Sequence, residues 1–223
     1  MQINLLDIPV FYINMKKDKD KKMHIEQQLN DLGFKNINRI EAVEDKKNGR
    51  VGLSKSQLKA LSQVTAPFIV LEDDADPRFF EAVIEVPDDA DAVYLGNSQW
   101  GLFQGHTGFY LKYKKINGMP NVLKIYNMLS SHAILYLSND YVSMCKRTTR
   151  YCAEEYPMPM DVPFAMMQRF FNIYALNKPA FIQKDYAGKM SAAPKYTNGK
   201  LTEYKRYDEL HNRYGYIYKD EII

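Results

Sequence analysis

The sequence predicts an α/β protein in which helices cover a largely parallel sheet. Short runs of apolar, β-branched and aromatic residues alternate along the chain with segments of helical periodicity, a pattern typical of parallel strands joined by helical crossovers. Of the 223 residues, 46% are hydrophobic, which is enough for one core and too little for two of full size. We therefore expect one domain over residues 1–223.

The first half of the chain contains four predicted strands, each an apolar run that ends at a polar residue or a glycine: residues 10–15, 36–43, 67–71 and 91–96. A helix that stops at Gly33 is predicted between the first two strands, because apolar residues recur there near helical spacing: Met23, Ile25, Leu29 and Leu32. A second helix is predicted over residues 54–61, where Gly52 precedes a capping serine.

The second half begins with residues 98–118, which are rich in glycine, aromatic and polar residues without a clear period, so we expect a long loop or lid. The apolar runs 121–129 and 133–137 are expected to be two strands of a hairpin or a crossover. Ser138 is placed to cap a helix that ends near Tyr151. The last predicted elements are one helix and two short strands, over residues 162–171, 173–176 and 180–183.

The C-terminal segment, residues 185–223, interleaves tyrosines with lysines and arginines. Aromatic rings stack on sugars as they do on bases, so this segment could form a platform for an acceptor sugar. Its net charge is barely positive, however, and an amphipathic cover packed over the sheet is the favoured interpretation.

Composition and charge exclude several classes of protein. Cys145 and Cys152 are the only cysteines, which excludes a disulfide framework and favours a reducing compartment. A formal net charge of +3 is too small for a protein that binds nucleic acid through field strength. The chain has no apolar run of membrane-spanning length and no basic N-terminal leader, so we expect a cytoplasmic protein, with peripheral membrane contact left open.

The strongest chemical signal is the acidic run Glu72, Asp73, Asp74 and Asp76, which follows a predicted buried strand. Ligands bind at the carboxyl ends of strands in open α/β sheets. Like charges repel unless a cation or hydrogen bonds offset them, and Mg²⁺ and Mn²⁺ prefer carboxylate and phosphate oxygens. The favoured interpretation is a metal–phosphate site; the alternative is a solvated acidic loop that starts a helix at Asp76 and Pro77.

The acidic run is similar to motifs of two kinds of phosphate chemistry. Asp74 and Asp76 superficially match the nucleophile motif of haloacid-dehalogenase phosphatases, but Arg78 stands where that motif needs Thr or Val. In nucleotide-sugar transferases an acid-x-acid element ends a strand and holds the metal that bridges the donor diphosphate. Glu72 and Asp74 have the spacing of that element.

The order of motifs resembles glycosyltransferase family 25, which contains bacterial lipooligosaccharide galactosyltransferases and collagen galactosyltransferases. The segments that carry the resemblance are FYINM at 11–15, RIEAV at 39–43, GLSKSQ at 52–57, VLEDDA at 70–75, YLG at 94–96, SHAILYL at 131–137 and PMD at 159–161. Each motif alone is weak, but seven in the family's order are specific. The chain departs from the family at Leu53, where relatives have Cys, and at Gln57, where they have His.

The resemblance implies a GT-A fold, a single mixed and mostly parallel sheet flanked by helices. Residues 1–97 would be the nucleotide-binding half and residues 98–184 the acceptor half. The implied activity is transfer of galactose or glucose from a UDP-sugar to a glycan or other hydroxyl acceptor, with Mn²⁺ or Mg²⁺ as cofactor and inversion at the anomeric carbon. The expected partners are the nucleotide sugar and the acceptor, and no nucleic acid.

The same resemblance assigns roles to individual residues. Inversion needs a general base, for which Asp161 is the candidate, with helix capping as an equally good interpretation. Asp74 is the expected metal ligand, with Glu72 and Asp76 as further candidates. The expected donor contacts are Asn14, Ser56, Gln57, Glu72, Asp73 and Tyr94. For His132 a hydrogen-bonded core histidine is the favoured interpretation, with a metal ligand or an acceptor contact as the alternatives.

Three other functions remain open at this point, of which one is a nucleic-acid-binding module that uses the basic, tyrosine-rich tail and would bind with a steep salt dependence. Because Gln57 replaces a histidine, the chain could be a non-catalytic relative that binds a glycan or nucleotide. A metal-dependent phosphatase or nuclease built on the same acids is the less favoured alternative.

Overall fold

A computed structural model of the chain describes residues 1–63, 65–98, 100–108 and 111–183, together with the backbone of 196–197 and 200–201. It confirms the predicted α/β class. Within the described part, the strands are β1 (Gln2–Asn4), β2 (Val10–Asn14), β3 (Ile37–Glu41), β4 (Phe68–Glu72), β5 (Ala75–Pro77), β6 (Val83–Glu85), β7 (Ala92–Tyr94), β8 (Gly101–Phe103), β9 (His106–Gly108), β10 (Tyr113–Ile116), β11 (Met119–Ile125), β12 (Ala133–Tyr136), β13 (Ile173–Leu176), β14 (Phe181–Gln183), β15 (Tyr196–Thr197) and β16 (Lys200–Leu201). The helices are α1 (Lys19–Asp31), α2 (Gly49–Leu61), α3 (Asn139–Glu154) and α4 (Asp161–Met167), with short 3₁₀ turns at Leu5–Asp7 and Gln168–Phe170.

Eight strands form one mixed sheet in the order β10-β11-β13-β7-β12-β4-β2-β3. Strand β2 is parallel to β3 and β4, and β7 is parallel to β13, whereas the other four pairings in this sheet are antiparallel. The prediction of a mostly parallel sheet was therefore wrong. The physical reason is that β12 runs in the opposite direction between β4 and β7, and that the short connection from β10 to β11 permits only a hairpin.

The directions of the strands decide where ligands can meet the sheet. Since β12 is antiparallel to both β4 and β7, those two strands run in the same direction. The carboxyl ends of β2, β3, β4, β7 and β13 therefore lie at one edge of the sheet, together with the start of β12.

The hydrophobic core lies on both faces of the sheet, because successive strand residues point to opposite sides. Phe11 and Ile13 pack with residues of α2, α3 and α4 on one face. Val10 and Tyr12 pack with Ile25 and other residues of α1 on the opposite face. Strand β2 is buried at every residue, as its continuous apolar run predicts.

All four helices lie where they were predicted, but α2 begins earlier, α3 ends later at Glu154, and α4 ends earlier at Met167, where a 3₁₀ turn follows. The helix α1 ends before Gly33, whose φ of 89° lies in the left-handed region that favours glycine. The side chain of Ser138 accepts a hydrogen bond from the backbone N–H of Tyr141, which confirms the predicted cap of α3. Helix α2 begins earlier than predicted, because the Asn48 side chain caps it by accepting from the N–H of Arg50.

Several short strands escaped the sequence prediction. Residues 98–118 were expected to be a loop, but they contain the hairpin β8–β9 and the edge strand β10. The runs 121–129 and 133–137 do not pair with each other, because β11 lies between β10 and β13 whereas β12 lies between β4 and β7. The alternative of a helix at Asp76 and Pro77 was wrong, since these residues form β5 and pair with β14.

None of the helices in the described part of the chain combines the length and the hydrophobicity that a membrane span needs. The expected packing of residues 185–223 lies outside the described residues, apart from the two-residue strands β15 and β16.

Candidate functional site

Polar side chains converge where β2 and β4 end. Asn14 is the last residue of β2, Glu72 is the last residue of β4, and Asp73 and Asp74 form the turn that follows. Because β2 and β4 are parallel neighbours, with Ile13 paired to Glu72, these side chains lie close together. We refer to Glu72, Asp73 and Asp74 as the acidic turn.

Asp73 is held by the neighbouring strand and by α1. The Asn14 Nδ2 atom donates to Asp73 Oδ2 at 2.8 Å, and the Lys21 ammonium lies 3.2 Å from Asp73 Oδ1. The Arg39 Nε atom donates to Asn14 Oδ1 at 3.1 Å, so Arg39 fixes the direction in which the Asn14 amide points. Both oxygens of Asp73 are thus engaged, and its carboxylate is positioned by hydrogen bonds.

Glu72 faces the opposite side of the sheet edge. The Ser131 hydroxyl, just before β12, donates to Glu72 Oε1 at 2.9 Å. Burial and the neighbouring Asp74 carboxylate raise the pKa of Glu72 above its usual range, and Asp161 contributes in the same direction, whereas Ser131 opposes the shift. Glu72 therefore lies within electrostatic range of both Asp74 and Asp161.

Asp74 has an oxygen that the fold leaves unsatisfied. Its Oδ1 atom is buried and accepts no hydrogen bond from the described residues. Burial raises the pKa of Asp74, with Asp73 adding to the shift and with the Lys21 ammonium and a hydrogen bond from Gln183 opposing it. A buried carboxylate oxygen beside like charges is costly unless a cation offsets it.

Asp161 is the first residue of α4 rather than its cap, which is Met160. Burial raises the pKa of Asp161, while its own backbone N–H and that of Val162 act in the opposite direction by hydrogen bonding. Its effect on the pKa of Glu72 places its carboxylate near the acidic turn. The structure therefore brings four predicted regions together: the ends of β2 and β4, the start of β12 and the start of α4.

Asp76 is placed apart from this group. It is 5% exposed in β5, and its Oδ1 atom accepts from Gln28 Nε2 at 2.5 Å and lies 2.9 Å from His24 Nε2. Asp76 thus faces α1 and is engaged there, although only one residue separates it from Asp74 in the sequence.

Three predicted donor contacts lie in the protein interior. Ser56 donates to the Gly52 carbonyl and accepts from the Val43 N–H, and Tyr94 is fully buried in the core. Gln57 is also buried, where its Nε2 atom donates to the Tyr136 hydroxyl at 3.3 Å. Within the described residues, none of these three belongs to the acidic turn or donates a hydrogen bond to it.

The register of β4 shows how far Gln57 lies from the acidic turn. Tyr136, its partner, pairs with Phe68 at the start of β4, whereas Glu72 ends that strand. Four residues of extended chain span about 13 Å. Gln57 is buried and its partner Tyr136 lies at the opposite end of β4 from Glu72, so position 57 belongs to the core.

Sequence reasoning gave no role to Arg39 or Ser131, although both lie inside motifs that it used. Lys21 is one of five lysines between positions 16 and 22, and no spacing distinguishes it from the others. Its position in the first turn of α1, directly after β2, was the available signal, because that turn faces the strand ends in a parallel α/β unit.

A divalent cation fits the acidic turn. Among the described residues, no three His, Cys, Asp or Glu side chains are grouped so that they could hold a metal by themselves. Mg²⁺, however, is commonly held by one or two carboxylates together with substrate phosphates and water. Glu72 and Asp74 match that requirement, since both carry raised pKa values and Asp74 Oδ1 has no hydrogen-bond partner in the part of the chain that the structure describes.

His132 agrees with its interpretation as a core residue. It is 5% exposed, with Nδ1 3.0 Å from the Ser130 hydroxyl and Nε2 3.3 Å from the Phe181 carbonyl oxygen. Burial lowers the pKa of His132 from 6.5 to about 4.

We expect His132 to destabilise the fold in acid. Because its pKa is lower in the folded state, the unfolded chain takes up the proton first, so stability is complete above pH 6.5 and is lost as the pH falls toward 4. The free energy of unfolding should fall by about 2 kcal/mol between pH 8 and pH 5 from this group alone. Urea unfolding of the wild type and of His132→Gln measures it, and equal pH dependence in the two proteins would contradict the assignment.

Comparison with models of known protein families and with curated proteins finds no match to this chain. The resemblance to a family therefore rests on its sequence motifs alone.

Proposed function

We propose that the chain is a metal-dependent glycosyltransferase of the GT-A type that moves galactose or glucose from a UDP-sugar to a hydroxyl of a glycan or another acceptor. The observation that carries the proposal is the buried Oδ1 of Asp74 beside Glu72, at the carboxyl end of β4, which has no hydrogen-bond partner among the described residues. A cation shared with a diphosphate would satisfy this oxygen. The proposed location is the cytoplasm, which agrees with the free thiols of Cys145 and Cys152.

The residues around the acidic turn divide the work on the donor. Glu72 and Asp74 would hold Mn²⁺ or Mg²⁺, which when bound neutralises charge on the departing nucleoside diphosphate. Lys21 adds a positive charge from the first turn of α1, where the helix dipole also favours a phosphate. Asn14 and Arg39 keep Asp73 in place, so that Lys21 remains beside the acidic turn.

Asp161 is the proposed general base for the acceptor. A base must accept the hydroxyl proton as the new bond to the anomeric carbon forms and the bond to the diphosphate breaks on the opposite face. A carboxylate whose pKa is raised toward the working pH does this better than an ordinary one, and burial raises the pKa of Asp161. The alternative to this role is a purely structural one, in which Asp161 stabilises the start of α4.

The position of Gln57 bears on the non-catalytic alternative. That alternative depended on a histidine missing at position 57, and Gln57 hydrogen bonds to Tyr136 inside the core, at the far end of β4 from Glu72. The substitution therefore gives no argument against catalysis.

Thermal unfolding with and without Mn²⁺ tests the proposal, with UDP-galactose and UDP-glucose as probes. A donor at 100 times its Kd should add about 2.7 kcal/mol of apparent stability in the presence of the metal. The shift should disappear in EDTA, and UDP should be released slowly by donor hydrolysis. The absence of both a shift and UDP release with these donors, or turnover of a phosphoester without any sugar donor, would contradict the proposed function.

A further inference from the structure

An apolar groove runs along the outer side of α3 and α4. It has a volume of about 540 Å³, and four of its twelve lining residues are methionines, including Met144 of α3 and Met166 of α4. Tyr151 and Met166 in the groove are 48% and 47% exposed, and Phe170 beside it is 71% exposed. Large apolar side chains exposed together mark a surface that binds another molecule. We call this surface the α3–α4 groove.

The charges beside the groove are arranged in two blocks along α3. Arg147 and Arg150 lie in its second half, and Glu154 and Glu155 lie at its end. All four are exposed, and within the described residues none of them forms an ion pair. Negative charge in the last turn of a helix opposes the helix dipole, and the last turn of α3 has no basic residue to offset it.

The spacing of the lining residues forms a lane on α3. Met144, Arg147, Tyr151 and Glu154 follow each other at intervals of three or four residues, so they share one face of the helix. This lane is basic before Tyr151 and acidic after it. A copy of the same helix laid antiparallel across the lane would therefore meet opposite charges at both ends.

We propose that the α3–α4 groove is the interface of a two-fold symmetric dimer of this chain, in which the two α3 helices pack antiparallel near Tyr151. Arg147 would face Glu154 and Glu155 of the second copy, and the symmetry repeats this contact on the other side of the axis. The apolar groove supplies the buried centre, and the exposed charges form its rim. An anionic membrane surface fits less well, because Glu154 lies in the same lane as Arg147 and Glu155 follows it directly.

Charge-reversed variants test this arrangement without reference to any enzymatic activity. One variant carries Arg147→Glu with Arg150→Glu, so that its lane is entirely acidic; the other carries Glu154→Arg with Glu155→Arg, so that its lane is entirely basic. We expect the wild type to be dimeric at about 100 μM and each variant alone to associate at least about tenfold more weakly, since like charges now face each other. An equimolar mixture of the two variants should form a heterodimer. Analytical ultracentrifugation measures all four samples.

The matched control is Lys114→Glu with Lys178→Glu, two exposed charges on β10 and after β13, which should leave the wild-type dimer intact. Circular dichroism melting confirms that each variant is folded. Three outcomes would overturn the proposal: a monomeric wild type, variants that dimerise as well as the wild type, or a mixture that stays monomeric. Binding of a monomeric wild type to anionic vesicles through the groove would assign the groove to a membrane surface instead. A dimer without sugar transfer would refute only the proposed function, and sugar transfer by a monomer would refute only the dimer.

Discussion

Replacing Asp74 by asparagine is expected to lower kcat/KM for sugar transfer by about a thousandfold, because the metal's contribution to charge neutralisation is worth several kcal/mol. Asparagine keeps the shape of the side chain and removes its charge. The fold should persist, since the substitution removes a charge from a group of like charges instead of creating one. UDP release and the Mn²⁺-dependent thermal shift provide two independent readouts, and both should be lost.

The control for this substitution is Asp76→Asn, in the same acidic run. Asp76 binds Gln28 and His24 on the side of α1, and asparagine retains an oxygen that accepts the Gln28 hydrogen bond. The Mn²⁺-dependent shift should therefore survive in Asp76→Asn. If Asp76→Asn abolished the shift and Asp74→Asn preserved it, the assignment of the metal to Glu72 and Asp74 would be wrong.

The central strands could be predicted from the sequence because strands buried on both faces consist of continuous apolar runs. Strands β2, β4 and β13 are buried over nearly their whole length, and each was predicted to within a residue or two. The place of the acidic turn followed from the same pattern, since Glu72 directly continues a buried strand. What could be predicted is thus what depends on neighbours in the chain.

The arrangement of the acids could not be predicted, because it depends on contacts between distant segments. Asp76 is turned toward α1 by β5, which is held by pairing with β14 about a hundred residues later in the chain, where Asp76 lies opposite Ile182. The position of the Glu72 carboxylate depends on a hydrogen bond from Ser131, and that of the Asp73 carboxylate depends on a hydrogen bond from Asn14. A sequence pattern does not reveal such contacts between distant segments. Four acids within five positions therefore suggested one cluster, whereas the fold separates Asp76 from the other three.

Three polar residues of α2 show that polarity alone does not predict exposure. Ser54, Ser56 and Gln57 are polar, yet all three are buried, because α2 packs between the sheet and α3. Their polar atoms are satisfied locally or by a single distant partner, as when Ser54 donates to the Arg50 carbonyl. Sequence reasoning assigned a helix cap to Ser54 and donor contacts to Ser56 and Gln57, but all three side chains pack in the interior.

Replacing Gly96 by alanine is expected to destabilise the protein by about 3 kcal/mol or more, because overpacking a rigid interior forces side chains or backbone to shift. A Cβ atom at position 96 would lie 1.9 Å from Nε2 of His132. The imidazole cannot move aside easily, since it is buried and bonded to Ser130 on its other nitrogen. Urea unfolding measures the loss, and Gly49→Ala is the control, because no atom lies within 4 Å of a Cβ built at that position.

A double-mutant cycle with His132→Ala identifies the cause of this loss. If the clash with the imidazole is responsible, Gly96→Ala should cost much less in a chain that already lacks the ring, and the coupling energy should be about 2 kcal/mol or more. Additive effects would place the ring away from Gly96. The ring matters for the acidic turn because His132 follows Ser131, whose hydroxyl donates to Glu72.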